Sequence, residues 1–229
     1  MPKQLPVGPS WTEVFLGAFL SLVIGATLGA AYLVLKPAVL LRGPLKEEER
    51  KAETIYYTEG SRDGNKGRQG ESKRKLFAQG SSVTVNEDEI NLAIPPAKAP
   101  APPAPVPGAK PGEKPAAPAA TAVVAPPNVR IREGVVQIST PIKVSVFGFD
   151  SNVVVLARGG FVKKSSGWVF EPDTISAGSC PLDRLPVVKT LVFNKFIGSQ
   201  PVPEDIATSW AKLAAVSVQG NELKLTMPQ

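Results

Sequence analysis

Two Ser-x-x-Lys spacings, Ser72–Lys75 and Ser209–Lys212, come nearest in this chain to a nucleophile carrying its own base. Enzymes that use this pattern surround it with further Ser and Lys motifs, and neither copy here has a companion. Ser209 falls in an amphipathic helical stretch and Ser72 in a charged loop, two unrelated contexts that mark the pattern as chance. Cys180, in SAGSCPLD, is the single cysteine, and the 229 residues include no histidine. That excludes Ser-His-Asp and Cys-His catalysis, imidazole pH sensing and His metal ligation. One cysteine forms neither an internal disulfide nor a Cys/His zinc site, so Cys180 reads as a bystander thiol. Glu87, Asp88 and Glu89 could suggest an acid/base pair or a metal. They follow Asn86, however, which can cap a helix starting at Glu87, with Glu89 reaching back from its third position. Acids there also suit the positive end of the helix dipole. Glycines 60, 64, 67 and 70 of GSRDGNKGRQG lack the spacing and the Lys-Ser/Thr ending of a phosphate loop. The loop reads as solvated, its cations, with Lys73, Arg74 and Lys75, available to lipid headgroups. No catalytic residue, cofactor site or metal site is expected.

The elements around these residues begin with an anchor. Val14 to Leu35 runs 22 residues without a charge, a span of ~33 Å as a helix at ~1.5 Å per residue, against a hydrocarbon core of ~30 Å. Trp11 and Tyr32 lie near its ends, where amphipathic rings favour the headgroups, and Lys36 and Pro37 close it. A cleavable signal peptide is the rival reading, with small residues at Gly29, Ala30 and Ala31; the single cation Lys3 ahead of the run and its continuation past the candidate cut favour a retained helix over 11–36. Gly17, Ser21, Gly25 and Gly29 recur every four residues, a small-residue face through which two such helices could pack as a homodimer. Lys36, Arg42, Lys46, Arg50 and Lys51 follow the run, which by the positive-inside rule argues for a cytoplasmic C-terminal side, although long domains translocate despite such charge.

Residues 1–10 form a short tail and 37–53 a charged juxtamembrane stalk or short helix. A first piece of a soluble domain spans 54–94, where TIYYT is β-prone and SVTV forms a strand before the Asn86 cap. Of the 24 prolines, half fall between Pro95 and Pro127; this Pro/Ala-rich stretch reads as an extended spacer or disordered insertion, too poor in apolar bulk to bury itself. Residues 128–229 carry the main core. Val136, Ile138, Ile142, Val144 and Val146 alternate with Gln137, Ser139, Lys143 and Ser145, the period of a strand with one apolar and one wet face. Short strands follow at 151–158, 161–164, 168–170 and 222–227. Helices are expected over 186–197 and 203–214, the second placing Ile206, Trp210 and Leu213 on one face as a core anchor. The expected fold is α+β, an antiparallel curved sheet packed on helices.

VNEDEINLAI at 85–94 and GSQPVPEDIATSWAKLAAVSV at 198–218 resemble segments of uncharacterised single-pass, membrane-anchored bacterial envelope proteins of Verrucomicrobia type. In these a Gly-x-x-Pro-Leu-Pro precedes a helix bearing a Trp; here Val202 stands where Leu is usual. The resemblance implies a curved-sheet domain that wraps a helix and often holds lipid, with residues 54–94 and 128–229 folding together. It also implies an inner-membrane anchor with an exported, periplasmic soluble part.

The net charge of +6 suits anionic membrane surfaces or nucleic acid only weakly; no nucleic-acid partner is expected. The expected function is that of a non-enzymatic envelope protein whose partners are membrane lipids and, where the apolar sheet face is a groove rather than plain core packed by the helices at 186–214, a hydrophobic ligand. The alternative is a scaffold that dimerises through its anchor and reaches a protein partner with the proline-rich stretch. A ligand requires a cavity lined by Val, Ile, Leu and Phe; a scaffold requires none.

Overall fold

Ser10 starts the apolar helix with a capping box: its Oγ accepts from the Glu13 N–H at 3.3 Å, and the Glu13 carboxylate accepts from the Ser10 N–H at 2.8 Å. Two of the otherwise unpartnered amides of the first turn are thereby satisfied. Helix α1 (Trp11–Leu35) ends where Lys36 turns extended before Pro37. Among the described residues it is the one helix long and apolar enough to cross a membrane, and it is exposed from Trp11 through Gly29. The computed structural model describes residues 10–41, 49, 51–95, 120–146, 149–165, 167–198 and 202–228. Residues 44–48 and 50 of the expected stalk, and 96–119 of the Pro/Ala-rich stretch, lie outside the described residues.

After α1, β1 (Val39–Leu40) pairs in parallel with β2 (Tyr56–Tyr57). Helix α2 (Gly70–Ala78), β3 (Val83–Asn86) and α3 (Glu87–Ala93) complete the first piece. The second piece runs β4 (Ala120–Val124), β5 (Asn128–Arg132), β6 (Val135–Val146), β7 (Phe149–Lys164), β8 (Gly167–Ala177), β9 (Cys180–Pro181), α4 (Pro186–Phe193), a π-helical turn Asn194–Gly198, α5 (Glu204–Trp210), β10 (Ala215–Gln219) and β11 (Glu222–Thr226). The class is α+β, as expected, but the strands form more than one sheet. The largest is antiparallel in the order β4-β6-β7-β8-β9, with β5 also on β6; a smaller antiparallel sheet has the order β10-β11-β3. β3 thus pairs with β11 across the whole intervening chain, Val85 opposite Leu223.

Three local readings change. Ala120–Val124, the end of the supposed spacer, is a strand with Val124 opposite Ile142; its Thr and Val residues fit a pleated edge, and Pro126–Pro127, which cannot donate, separate it from β5 on the same edge of β6. Ser72–Lys75, read as part of a charged loop, fall in helix α2, with Phe77 only 3% exposed. It carries no side-chain cap at Gln69, so no start signal marks it. The wet face expected on β6 is covered over its first half: Gln137 and Ser139 are buried, and the Gln137 amide donates to the Thr58 carbonyl at 2.7 Å, while Lys143 stays exposed as expected. Residues 54–60 lie over that face, where Tyr57 packs on Val154 and Leu156.

β7 and β8 are long enough to serve two cores because they bend. Their register shifts between Arg158 and Gly159, and a Cβ on Gly159 would collide with the Glu171 carbonyl, so the bulge requires glycine. On one side of the bend, Phe161 and Phe170 pack with Ile131, Val136, Leu213 and the small sheet. On the other, Ile142, Val153, Val155 and Ile175 form a second cluster against which the last turn of α1 (Leu33, Val34) and α4 (Val192, Phe193) both pack. Gly178, at φ +56°, makes this docking close, since any Cβ would strike the Val34 carbonyl. The neighbouring Ser179 N–H donates to Leu33 and Lys36 carbonyls, both at 3.0 Å, and the Ser179 hydroxyl accepts from the Ile55 N–H at 3.3 Å.

Candidate functional site

The acidic run opening α3 is a fastening point. Glu89 closes a capping box with Asn86, the two bonds at 2.9 and 3.0 Å, as its position predicts. Glu89 also pairs with Lys73 of α2 at 2.8 Å while only 3% of its side chain is exposed. Capping does not account for the other two acids. Glu87 accepts from the Ile131 and Ser61 N–H groups, both at 3.1 Å, and Asp88 accepts from the Asp63 N–H at 2.7 Å. Burial alone would lift the Asp88 carboxyl; hydrogen bonds from Ser61 and Asp63, with Lys66 nearby, hold it below its ordinary range. Asn91 binds Val129 as a strand neighbour would, accepting from its N–H and donating to its carbonyl, both at 2.7 Å. Glu87, Asp88, Glu89 and Asn91 each hold at least one backbone group, and Glu89 holds the Lys73 side chain as well.

What the fastening encloses is apolar. A cavity of about 1000 Å³ lies between α2, α3 and α5 on one side and β5, β6, β3 and β11 on the other. Phe77, Ile131 and Val136, each at most 3% exposed, form its deep end. Val85, Ile138 and Leu223 line the walls, and the exposed Arg74, Pro95, Val202 and Pro203 mark the rim. The charged lining residues are matched: Lys73 with Glu89, and Arg74 with Asp205 through two bonds of 3.1 Å. The Arg74 hydrogen bonds hold the Asp205 carboxyl below its ordinary range. Protein cores are close-packed with few voids larger than a water. The cavity's volume falls at the upper end of the range of ligand pockets, about 300–1,000 Å³. Its walls offer hydrocarbon contact.

Ile206, Trp210 and Leu213 are brought to one cluster, as their spacing predicts, although α5 stops at Trp210 and Leu213 lies in the following turn. Ile206 and Trp210 line the cavity. Trp210 Nε1 donates to the Trp168 carbonyl at 2.7 Å, and Trp168 Nε1 donates to the Leu213 carbonyl at 3.2 Å. The Trp210 ring also tilts against Phe161 at 5.4 Å between centroids. Ser209 is buried, its hydroxyl directed to the Ala78 carbonyl at 3.5 Å, and Lys75 of the other Ser-x-x-Lys pairs with Glu71 at 3.4 Å. Cys180 is buried, which pushes its thiol up and keeps it protonated. Gly17, Ser21, Gly25 and Gly29 all lie exposed on α1, and space around the three glycines is open.

Phe77, Val129, Ile131 and Phe161 were not singled out from sequence as site residues. The alternation Val129-Arg130-Ile131-Arg132 ahead of a Glu-Gly turn was a readable strand signal. Nothing local could have placed Phe77 against it. No family model matches this chain, and no curated protein is similar to it in sequence.

Proposed function

We propose that this protein is a membrane-anchored, non-enzymatic envelope protein whose soluble part binds a lipid or other hydrophobic ligand in the cavity beneath α2, α3 and α5. The observation that carries the reading is the cavity itself, about 1000 Å³ and lined by Val, Ile, Leu and Phe with its few charges paired. The bend of β7 suits a curved sheet wrapped on such a ligand, as the resemblance to anchored envelope proteins implies. The span and hydropathy of α1 support a retained single-pass helix, and the same resemblance supports an inner-membrane location with the soluble part periplasmic. The docking of α1 onto the core cluster that also carries α4 supports a domain seated on the membrane rather than tethered at a distance.

The test is lipid extraction and mass spectrometry of the full chain, compared with Ile138→Trp and Val85→Phe, which fill the cavity. Each variant should fold and lose a bound lipid that the native chain retains. Equal lipid content in all three proteins would overturn the reading. The scaffold alternative draws on the uncovered small-residue face of α1; it requires association of the full chain that Gly25→Leu abolishes.

A further inference from the structure

On the opposite face of the main sheet, Arg130, Gln137 and Arg158 lie in one cross-strand row. β5 sets Arg130 opposite Gln137, and β7 sets Arg158 opposite the same residue; directly opposed residues of antiparallel strands share a face. Two strand spacings place the arginine Cα atoms ~9–10 Å apart. Arg158 is held in position: its Nε donates to Gln137 Oε1 at 3.0 Å and its Nη2 to the Tyr56 carbonyl at 3.4 Å. Arg130 is different. It is half-buried, and among the described residues its guanidinium makes no hydrogen bond or ion pair. Burial disfavours its charge, as do Arg132 and Arg158, while Glu87 and Glu133 act on it only through space. Glu87 is already engaged by the Ser61 and Ile131 amides.

These two arginines border a pocket of about 470 Å³ that Lys51, Thr54, Tyr57 and Thr58 also line. Burial raises the Tyr57 phenol, with Glu59 adding to the shift, so it stays a neutral donor. The wall formed by β2 is the strand that pairs with β1, which begins just past Pro37 at the end of α1.

We propose that this pocket binds a phosphate-type oxyanion, Arg130 and Arg158 donating from either side of Gln137 and Lys51 adding charge at the edge. Guanidinium forks match the paired oxygens of such a group, and a phosphate between the two arginines turns their mutual repulsion into attraction. The anion is either the phosphate of an anionic lipid headgroup beside α1 or a phosphate in solution. The site stands apart from the apolar cavity, which faces the other side of β5 and β6, so loss of either reading leaves the other intact.

The test uses the full chain in phosphatidylcholine nanodiscs, titrated calorimetrically with inorganic phosphate, and in nanodiscs that also contain phosphatidylglycerol, read by thermal midpoint. Arg130→Gln should weaken binding by about tenfold or more, the value of one charge-assisted bond, with an unchanged or higher midpoint in phosphatidylcholine alone. Lys224→Gln, an exposed charge on β11, should change neither readout. Phosphate binding lost in Arg130→Gln assigns the site to a dissolved anion. Stabilisation by phosphatidylglycerol, lost in Arg130→Gln and not competed by phosphate, assigns it to a headgroup. If the glutamine variant fails to fold, Arg130→Lys keeps the charge without the fork and should show intermediate binding. Native and Arg130 variant proteins that respond alike to both anions would overturn the proposal.

Discussion

Glu87, Asp88 and Glu89 are neighbours of one type with three different duties: the first docks β5, the second docks the 61–63 loop, and the third caps α3 and meets Lys73. Asp88 has the clearest thermodynamic consequence. Its folded-state pKa lies below the unfolded value of about 3.9, so its contribution is full above that pH and disappears as pH falls through the folded value. Urea melts of the native chain and Asp88→Asn should therefore differ most at neutral pH and converge only as pH falls from the unfolded value through the lower folded one. A difference that is constant with pH would mean the carboxylate charge is not what holds the loop. Trp210 and Trp168 hold each other's segments by reciprocal indole bonds. Trp210→Ala should cost on the order of 3 kcal/mol through lost packing, and Trp210→Phe only about 1 kcal/mol, the value of the lost hydrogen bond. Equal losses in the two variants, measured by denaturant melts, would show that the ring contributes little.

At the scale of elements, α1 and α4 are linked by the cluster they share. Leu185 just ahead of α4 and Val187, Val188 and Leu191 on it are exposed, Val187 at 71% and Leu191 at 64%, while Val192 and Phe193 of α4 and Phe196 and Ile197 of the following turn pack on that cluster. A segment apolar on both sides, held beside the end of a membrane-length helix, is placed to rest in the interfacial layer. In nanodiscs, an environment-sensitive fluorophore on Val187→Cys of the full chain should emit as from an apolar medium, and the same label on Lys224→Cys as from water. Water-like emission at position 187 would separate α4 from the bilayer. The buried Cys180 thiol, kept protonated, should not compete for the label.

At the scale of the molecule, two pieces of chain on either side of the Pro/Ala-rich stretch build one structure: β3 completes the sheet of β10 and β11, and Asn91 pairs with Val129. Loop closure costs little more for a long connection than for a short one. Replacing residues 97–119 by a short Gly/Ser linker should therefore leave the thermal midpoint within a few degrees of the native one. Extending the deletion to 125 removes β4 from the β6 edge and should lower it clearly. Equal midpoints for the two deletions would show that β4 adds nothing to the sheet; collapse with the shorter one would show that the stretch supports the fold.

Capping, periodicity and composition are written in residues a few positions apart, and the sequence by itself determined what depends on them. The Asn86–Glu89 box, the apolar face of β6, the Ile206–Trp210 face and the uncharged run of α1 were legible because each is a pattern within one or two turns or along one strand. The absence of histidine was legible from composition alone. Tertiary structure decided the rest. Gln137 reads as a solvent-facing residue until residues 54–60 cover it, and Lys73 reads as a loop cation until Glu89 meets it across 16 positions. The apolar cavity needs Phe77, Ile131 and Leu223 side by side, and the arginine row needs the β5–β6 and β6–β7 registers. Which edge a strand takes, in which register, and what then covers each face depend on contacts distant in sequence, whose free energies no local pattern encodes.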